Sequence, residues 1–282
     1  MRSIIKTLQG ARLHLSLSKT RMHLAYTPHS WRPKAVALFD GVMDAAPDRE
    51  PAALAAALAP VLDDRRYRGA ALSVTFSDEW VRLFMVAPPK NTFRLQDVRT
   101  AAALRFHTLY GDDAAAWRIT CDDAFDRQFL ACAMPTVLFS SIENLAAAYG
   151  LRLVSLTPTF VATWNRVNRR LGQAWFGIVH EETVVIGCVD AAPKPQLSAV
   201  QRLRLPAEDA DGAWLADQLR GMALRHGLDS PKDLKLYGRY VPGLTVPAHD
   251  TGLAVTWPER MQTARPKNEP RIDLPGLGDA RA

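Results

Sequence analysis

One order of elements occurs twice in this chain, and that repetition limits its fold more than any other feature. The stretch "LHLSLSKTRMHLAYTP" (13–28) alternates apolar and polar residues, pauses at Ser18-Lys19-Thr20-Arg21 and alternates again, which is the pattern of a β-hairpin. A third short strand, "KAVALFDGV" (34–42), follows it, then a helix over 50–69 and a strand from 70. The helix has Glu50 and Pro51 in its first turn, Pro60 as an internal fault and Gly69 at its end. From Trp175 the order returns: strand, polar turn, strand, loop and strand over 174–206, a helix over 211–228 and a strand over 233–238. Duplication of such a unit predicts two α/β lobes.

The residues between the copies continue the α/β reading. "AALSVTFSDEWVRLFMVAPP" (70–89) reads as strand, tight turn at Ser77-Asp78-Glu79, and strand. An amphipathic helix is predicted over 94–111, strands over 116–121 and 127–134, a helix over 135–150 closed by Gly150, a strand over 151–157 and a helix over 158–172. The lobes are therefore expected at 11–157 and 158–245. From Pro247 the periodicity fades, and "WPERMQTARPKNEPRIDLPGLGDARA" (257–282) is rich in proline and charge, so 246–282 reads as a flexible tail.

Charge and cysteine usage narrow the function. The net charge is +6 and the pI about 9.4, but the arginines are scattered and form no five-residue basic block, which argues against nucleic acid as a partner. Cys121, Cys132 and Cys188 stand alone in apolar runs with no metal-ligand spacing, as buried thiols of a reducing compartment do. The first residues are too polar for a signal peptide, and there is no stretch of 18 apolar residues. The expectation is a soluble cytoplasmic protein.

Few residues offer chemistry. His14, Ser16, Ser18 and His23 fall on the polar side of the hairpin, with no acid near them in sequence, and read as a solvated face. "HEE" (180–182) lacks the spacing of a zinc motif, and Asp112-Asp113 and Asp122-Asp123 read as solvated turn caps rather than cation ligands. Neither glycine-rich nucleotide loop is present. Trp31 and Trp257 lie in proline-containing loops, where an aromatic can anchor a partner; the other tryptophans read as core. The segments 87–94 and 202–206 read as basic loops suited to an acidic partner or lipid headgroups.

Three stretches together resemble a known family. They are the opening meander (13–26), "QFLACAMPTVLFSSIENLAAAYGLRLVSLTPTFVATWNRV" (128–167), and the second meander (175–205) directly after it. With the order of elements between them, they resemble the actin-like platform proteins of type IV pilus and type II secretion machines: PilM, MshI and the cytoplasmic part of GspL. The resemblance implies an α/β, actin-like (ribonuclease H-like) duplicated fold, in which a turn of each meander holds phosphate through close backbone approach and an acid holds Mg²⁺. ATP-binding members resemble Ile-Asp-Ile-Gly followed by a polar turn and a lysine. Those places fall here on Leu15, Ser16, Leu17 and Ser18, with His23 at the lysine. The acid and glycine of the second meander fall on Gly177 and Val179, and the late pair of adenosine-contacting glycines is reduced to Gly238 in "LYGRYVPG".

All three nucleotide motifs are thus degraded together. The resemblance then implies no catalytic residue, cofactor or metal. The expected role is a scaffold at the cytoplasmic face of the inner membrane, binding the tail of a bitopic partner, the assembly ATPase, or both. The alternatives are an active ATPase with unorthodox phosphate contacts and a basic binding module unrelated to pili.

Overall fold

The computed structural model describes residues 10–30, 34–43, 51–89, 94–122, 127–190, 195–206, 210–245 and 252–258 of the 282-residue chain. The predicted duplication is present as topology. Strands β1 (Arg12–Leu17), β2 (Arg21–Thr27) and β3 (Val36–Val42) form an antiparallel meander. On the other side of β1 lies β4 (Ala71–Phe76), parallel to it, and then β8 (Arg152–Pro158), parallel to β4. The second five-stranded sheet repeats this. β9 (Trp175–Val179), β10 (Thr183–Asp190) and β11 (Gln196–Arg204) make the meander. β12 (Asp233–Gly238) runs parallel to β9, and β13 (Ala254–Thr256) parallel to β12. The orders β3-β2-β1-β4-β8 and β11-β10-β9-β12-β13 match strand for strand.

A third sheet, in the order β5-β7-β6, is built from β5 (Arg82–Val86), β6 (Trp117–Cys121) and β7 (Phe129–Pro135). This corrects the expectation of a hairpin over 70–89. β4 and β5 belong to different sheets, because a short 3₁₀ turn at Asp78–Trp80 turns the chain away and β5 pairs with β7 instead. The described residues form two compact units, one from those between Gly10 and Trp80 with Met134–Thr159, the other from those between Val81 and Ala133 with those between Phe160 and Pro258. Residues 81–133 group with the second unit, so the chain passes between the units after Trp80, Ala133 and Thr159.

Within the first unit, alternation decides what is buried. Leu13, Leu15 and Leu17 of β1 and Met22 and Leu24 of β2 are at most 3% exposed on one face. Helix α1 (Pro51–Leu62) adds Leu54, Leu58 and Leu62, one stripe at intervals of four, and packs with Leu138, Ile142 and Leu145 of α3 (Thr136–Ala148). Pro60 does not end α1. The helix stops at Leu62, short of the predicted Gly69, and a separate 3₁₀ turn over Arg65–Tyr67 follows, capped by the Asp64 carboxylate at 2.9 Å from the Arg66 N–H. Tyr67 from that turn is fully buried and meets Tyr26 edge-on at 5.0 Å.

In the second unit, Phe160 and Val167 of α4 (Thr159–Leu171) and Leu215, Leu219 and Met222 of α5 (Gly212–His226) are buried against the second sheet. Helix α2 (Leu95–Tyr110) packs Val98, Ala102 and Phe106 with the three-stranded sheet. There the Arg82 guanidinium lies 4.3 Å from the Tyr110 ring centroid and 4.5 Å from that of Trp117, and pairs with Asp112 at 2.5 Å. Burial pushes the Tyr110 hydroxyl pKa up, against the pull of Arg82, Arg202 and Arg105. Asp112 is therefore an ion-pair partner, and Asp113 caps the next turn through the Ala115 N–H at 2.9 Å. Arg202 and Arg204 lie in strand β11 and not in a basic loop, a correction that follows from their place in the second meander.

The expected tail also needs correcting, because β13 and the buried Leu253 and Val255 belong to the second sheet. Trp257 is half-buried and meets Tyr240 edge-on at 5.0 Å. Trp31, Asp123 and residues 259–282 lie outside the described residues. Among the described residues, no helix is long and apolar enough to cross a membrane.

Candidate functional site: the two meander turns

The first turn holds itself closed. The Ser18 N–H donates to the Arg21 carbonyl at 2.8 Å, and the Arg21 N–H donates to Ser18 Oγ at 3.0 Å. The serine hydroxyl supplies the contact that lets this turn form without glycine. The Ser18 amide, which would have to face a phosphate, is spent inside the loop.

Behind the turn, one row of side chains crosses the sheet on its polar face. Asp40 of β3 stands opposite His23 of β2, His23 opposite Ser16 of β1, Ser16 beside Thr75 of β4, and Thr75 beside Thr157 of β8. This face is not solvated as the sequence pattern predicts. Ser16 is 1% exposed and Thr75 6%, while His14 and His23 are half-buried. The reason is position: β1 is the central strand of five, at the junction between the antiparallel meander and the parallel strands β4 and β8, and the central strand of such a sheet is covered on both faces. Thr75 Oγ1 and His14 Nε2 are 3.4 Å apart.

The row brings a serine, a histidine and an acid into line, but not as a nucleophile with its base. Ser16 Oγ and His23 Nδ1 are both buried without a hydrogen-bond partner, and Asp40 is engaged by Arg21 at 2.9 Å. An unpartnered buried hydroxyl costs about 1–3 kcal/mol. Ser16→Ala is therefore expected to leave the protein as stable as wild type or up to about 1–2 kcal/mol more stable in urea unfolding. A clear destabilisation would show that the hydroxyl has a partner in solution.

Asp78 is a residue that sequence reasoning missed. The sequence pattern places it in a tight turn with no functional role; it is 1% exposed and the one acid among the described buried side chains. The preceding Ser77 N–H donates to the Leu17 carbonyl at 2.8 Å, which places Asp78 at the strand end beside the first turn. The available signal was an acid directly after a strand-forming run, at the point where the chain turns.

The second turn has the same construction. The His180 N–H donates to the Thr183 carbonyl at 2.8 Å, as Ser18 does to Arg21. Val179 pairs opposite Gly238 on β12, as Leu17 pairs opposite Phe76, and the Arg239 N–H reaches the Val179 carbonyl at 2.9 Å just as Ser77 reaches Leu17. Leu17 therefore corresponds to Val179, Ser16 to Ile178 and Ser18 to His180. The assignment of the acid and glycine places to Gly177 and Val179 is shifted by one residue, which in a strand exchanges the two faces. Gly177 corresponds to Leu15 and serves packing: a Cβ there would lie 2.6 Å from Ile186 Cδ1 and 2.9 Å from Leu236 Cδ2. In either register, neither turn carries a glycine.

The remaining candidates also sit in structural roles. Burial pushes the Cys188 thiol up to about 12, so it is not a nucleophile at neutral pH. Among the described residues, no group of three His, Cys, Asp or Glu gathers where it could hold a metal ion.

No family model matches the sequence. No curated protein matches it either. Solved structures do match in fold. A Bacteroides thetaiotaomicron protein with an actin-like ATPase fold and unknown function superposes with a TM-score of 0.58 at 12% identity, over 89% of this chain and 91% of that one. The PilM–PilN type IV pilus biogenesis complex matches with a TM-score of 0.58 at 16% identity, over 90% of this chain and 92% of the matched one. The cytoplasmic domain of EpsL, an inner-membrane component of the Vibrio cholerae type II secretion system, matches with a TM-score of 0.52 at 10% identity, over 80% and 82%. The duplicated sheets, their matched turns and these superpositions agree, and the chain has the actin-like α/β fold.

Proposed function

We propose that the chain is a non-catalytic scaffold of a type IV pilus or type II secretion inner-membrane platform. It works at the cytoplasmic face of the inner membrane and binds the cytoplasmic tail of a bitopic membrane partner, the assembly ATPase, or both. The observation that carries the non-catalytic part is the closure of both turns on themselves, with no glycine at either and with the Ser18 and His180 amides spent inside the loops. The likeness in fold to the pilus complex and the EpsL domain, over at least 80% of each chain, supports the platform part. Co-expression with a bitopic inner-membrane protein of the same platform is expected to carry the chain into inner-membrane vesicles, and omission of that partner to leave it unbound. Vesicle binding without the partner, or recovery of nucleic acid in its place, would favour the basic binding module.

A second reading, an actin-like ATPase with unorthodox phosphate contacts, is favoured by Asp78, a buried acid at the strand end beside the first turn. Calorimetric titration with Mg·ATP separates the two. Losing several charge-assisted contacts of about 1.5–3 kcal/mol each puts the dissociation constant at about 1 mM or weaker. Micromolar binding that disappears in Asp78→Asn would replace the scaffold with the ATPase.

A further inference from the structure

A cavity of about 340 Å³ lies within the second unit, and none of its described lining residues belongs to a meander turn. Three segments enclose it. Residues 127–130 lead into β7, residues 195–197 lead into β11, and α4 contributes the side that carries Trp164 and Asn168, neighbours at a spacing of four. The volume is at the lower end of the range for ligand pockets, which limits the guest to a small molecule. One wall is flat and apolar: the Trp164 ring is stacked on Phe176 at 5.4 Å, and the lining residues Leu130 and Leu197 are buried.

The polar groups identify the class of ligand. Gln128, Asn168 and Gln196 are primary amides, each with a donor N–H₂ and an acceptor C=O. A hydroxyl also both gives and receives, so an amide can meet it whichever way it is turned. Asp122 and Arg127 stand at the same cavity with opposite charges. A carboxylate has two acceptor oxygens and a guanidinium a fork of donors, so each can engage two hydroxyls on adjacent carbons. An anionic guest is disfavoured, because the two charges cancel and because Asn168 lies in the last turn of α4, where the helix dipole opposes an anion. A nucleobase would also stack on an indole, but its donors and acceptors have fixed roles and lie only in the plane of its ring. Here the amides come from all three segments, which matches a ring with hydroxyls around its whole rim and an apolar C–H face.

We infer that this cavity binds a neutral monosaccharide in its pyranose form, with one C–H face of the sugar on Trp164 and its hydroxyls on the three amides, Asp122 and Arg127. The role is binding and not hydrolysis: Asp122 is the one carboxylate among the described lining residues, and glycoside cleavage takes two. The inference stands or falls separately from the platform reading, because its test uses neither a membrane nor a pilus component.

The test is saturation-transfer NMR of the purified full chain with the methyl glycosides of glucose, galactose, mannose and N-acetylglucosamine, with adenosine and glutamate beside them, followed by titration of the tightest binder. One of the four sugars is expected to bind with a dissociation constant on the order of 1 mM, with transfer strongest to the ring protons of one face. Its affinity is expected to fall about tenfold or more in Trp164→Leu and in Asn168→Ala, and to stay unchanged in Arg99→Ala, an exposed residue of α2 outside the cavity wall. If either cavity variant does not fold, Arg127→Ala and Gln128→Ala, at exposed positions, replace it. Silence of all four sugars, binding that the cavity variants leave unchanged, or binding of adenosine or glutamate in place of a sugar would each overturn the inference.

Discussion

Gly238→Val is expected to cost the protein about 3 kcal/mol or more, enough to unfold much of it at growth temperature against a typical total stability of about 5–15 kcal/mol. Two causes add. Gly238 has φ +91°, a conformation that residues with a side chain adopt only at a cost of about 1–3 kcal/mol. A Cβ there would also collide with the Val179 carbonyl oxygen and lie 3.2 Å from the Val179 nitrogen. Those atoms belong to β9, the central strand of the sheet, which cannot retreat without breaking its ladders. Gly150 is the internal comparison. Its φ is +62°, but the nearest atom to an added Cβ is Arg68 Cγ at 3.8 Å, an ordinary contact. Gly150→Val is expected to cost on the order of 1 kcal/mol, from backbone conformation alone. Urea unfolding of the two variants side by side decides the matter. Equal losses would mean that the approach of Gly238 to Val179 is not rigid. Gly238 reads in the sequence as the remainder of a nucleotide-contacting pair; its geometry gives it a different reason to be glycine.

The duplication was legible because it rests on long alternating runs, and alternation is what a sheet with a buried face writes into a sequence. β13 was not, because the three residues of "AVT" are too few to show a period of two. The duplication itself held the missing information. The first copy ends in β8 beyond β4, so the second required a strand beyond β12, and the only chain left to supply it followed residue 245. The register of the second meander was misread for a related reason. Gly177 is a conspicuous glycine in a strand and attracted the motif, whereas the turn hydrogen bonds, which fix the register, involve backbone atoms of any residue type. The polar face of β1 was misread as solvated because alternation reports which side is apolar, not what covers the other. Asp78 as a candidate, and the burial of Ser16, became visible only when the position of β1 at the centre of the sheet was known.

Phe160→Ala is expected to lower stability by about 3–5 kcal/mol, the usual range for deleting a fully buried aromatic side chain. Phe160 has no exposed surface and stacks on Phe176, itself fully buried, with ring centroids 4.6 Å apart. The pair exists because Gly187 of β10 has no side chain: a Cβ there would lie 2.6 Å from Phe176 Cε1, 2.8 Å from Leu197 Cδ2 and 2.9 Å from Phe160 Cζ. The notch and the ring that fills it should therefore be energetically coupled. Gly187→Ala alone is expected to cost about 1–3 kcal/mol through overpacking. In the Phe160→Ala background it should cost less, because one of the three clashes is gone, with a coupling energy of about 0.5–3 kcal/mol in the double-mutant cycle. The cost should not vanish, since Phe176 and Leu197 remain. Additive losses would show that Phe160 and Gly187 do not share this space in solution.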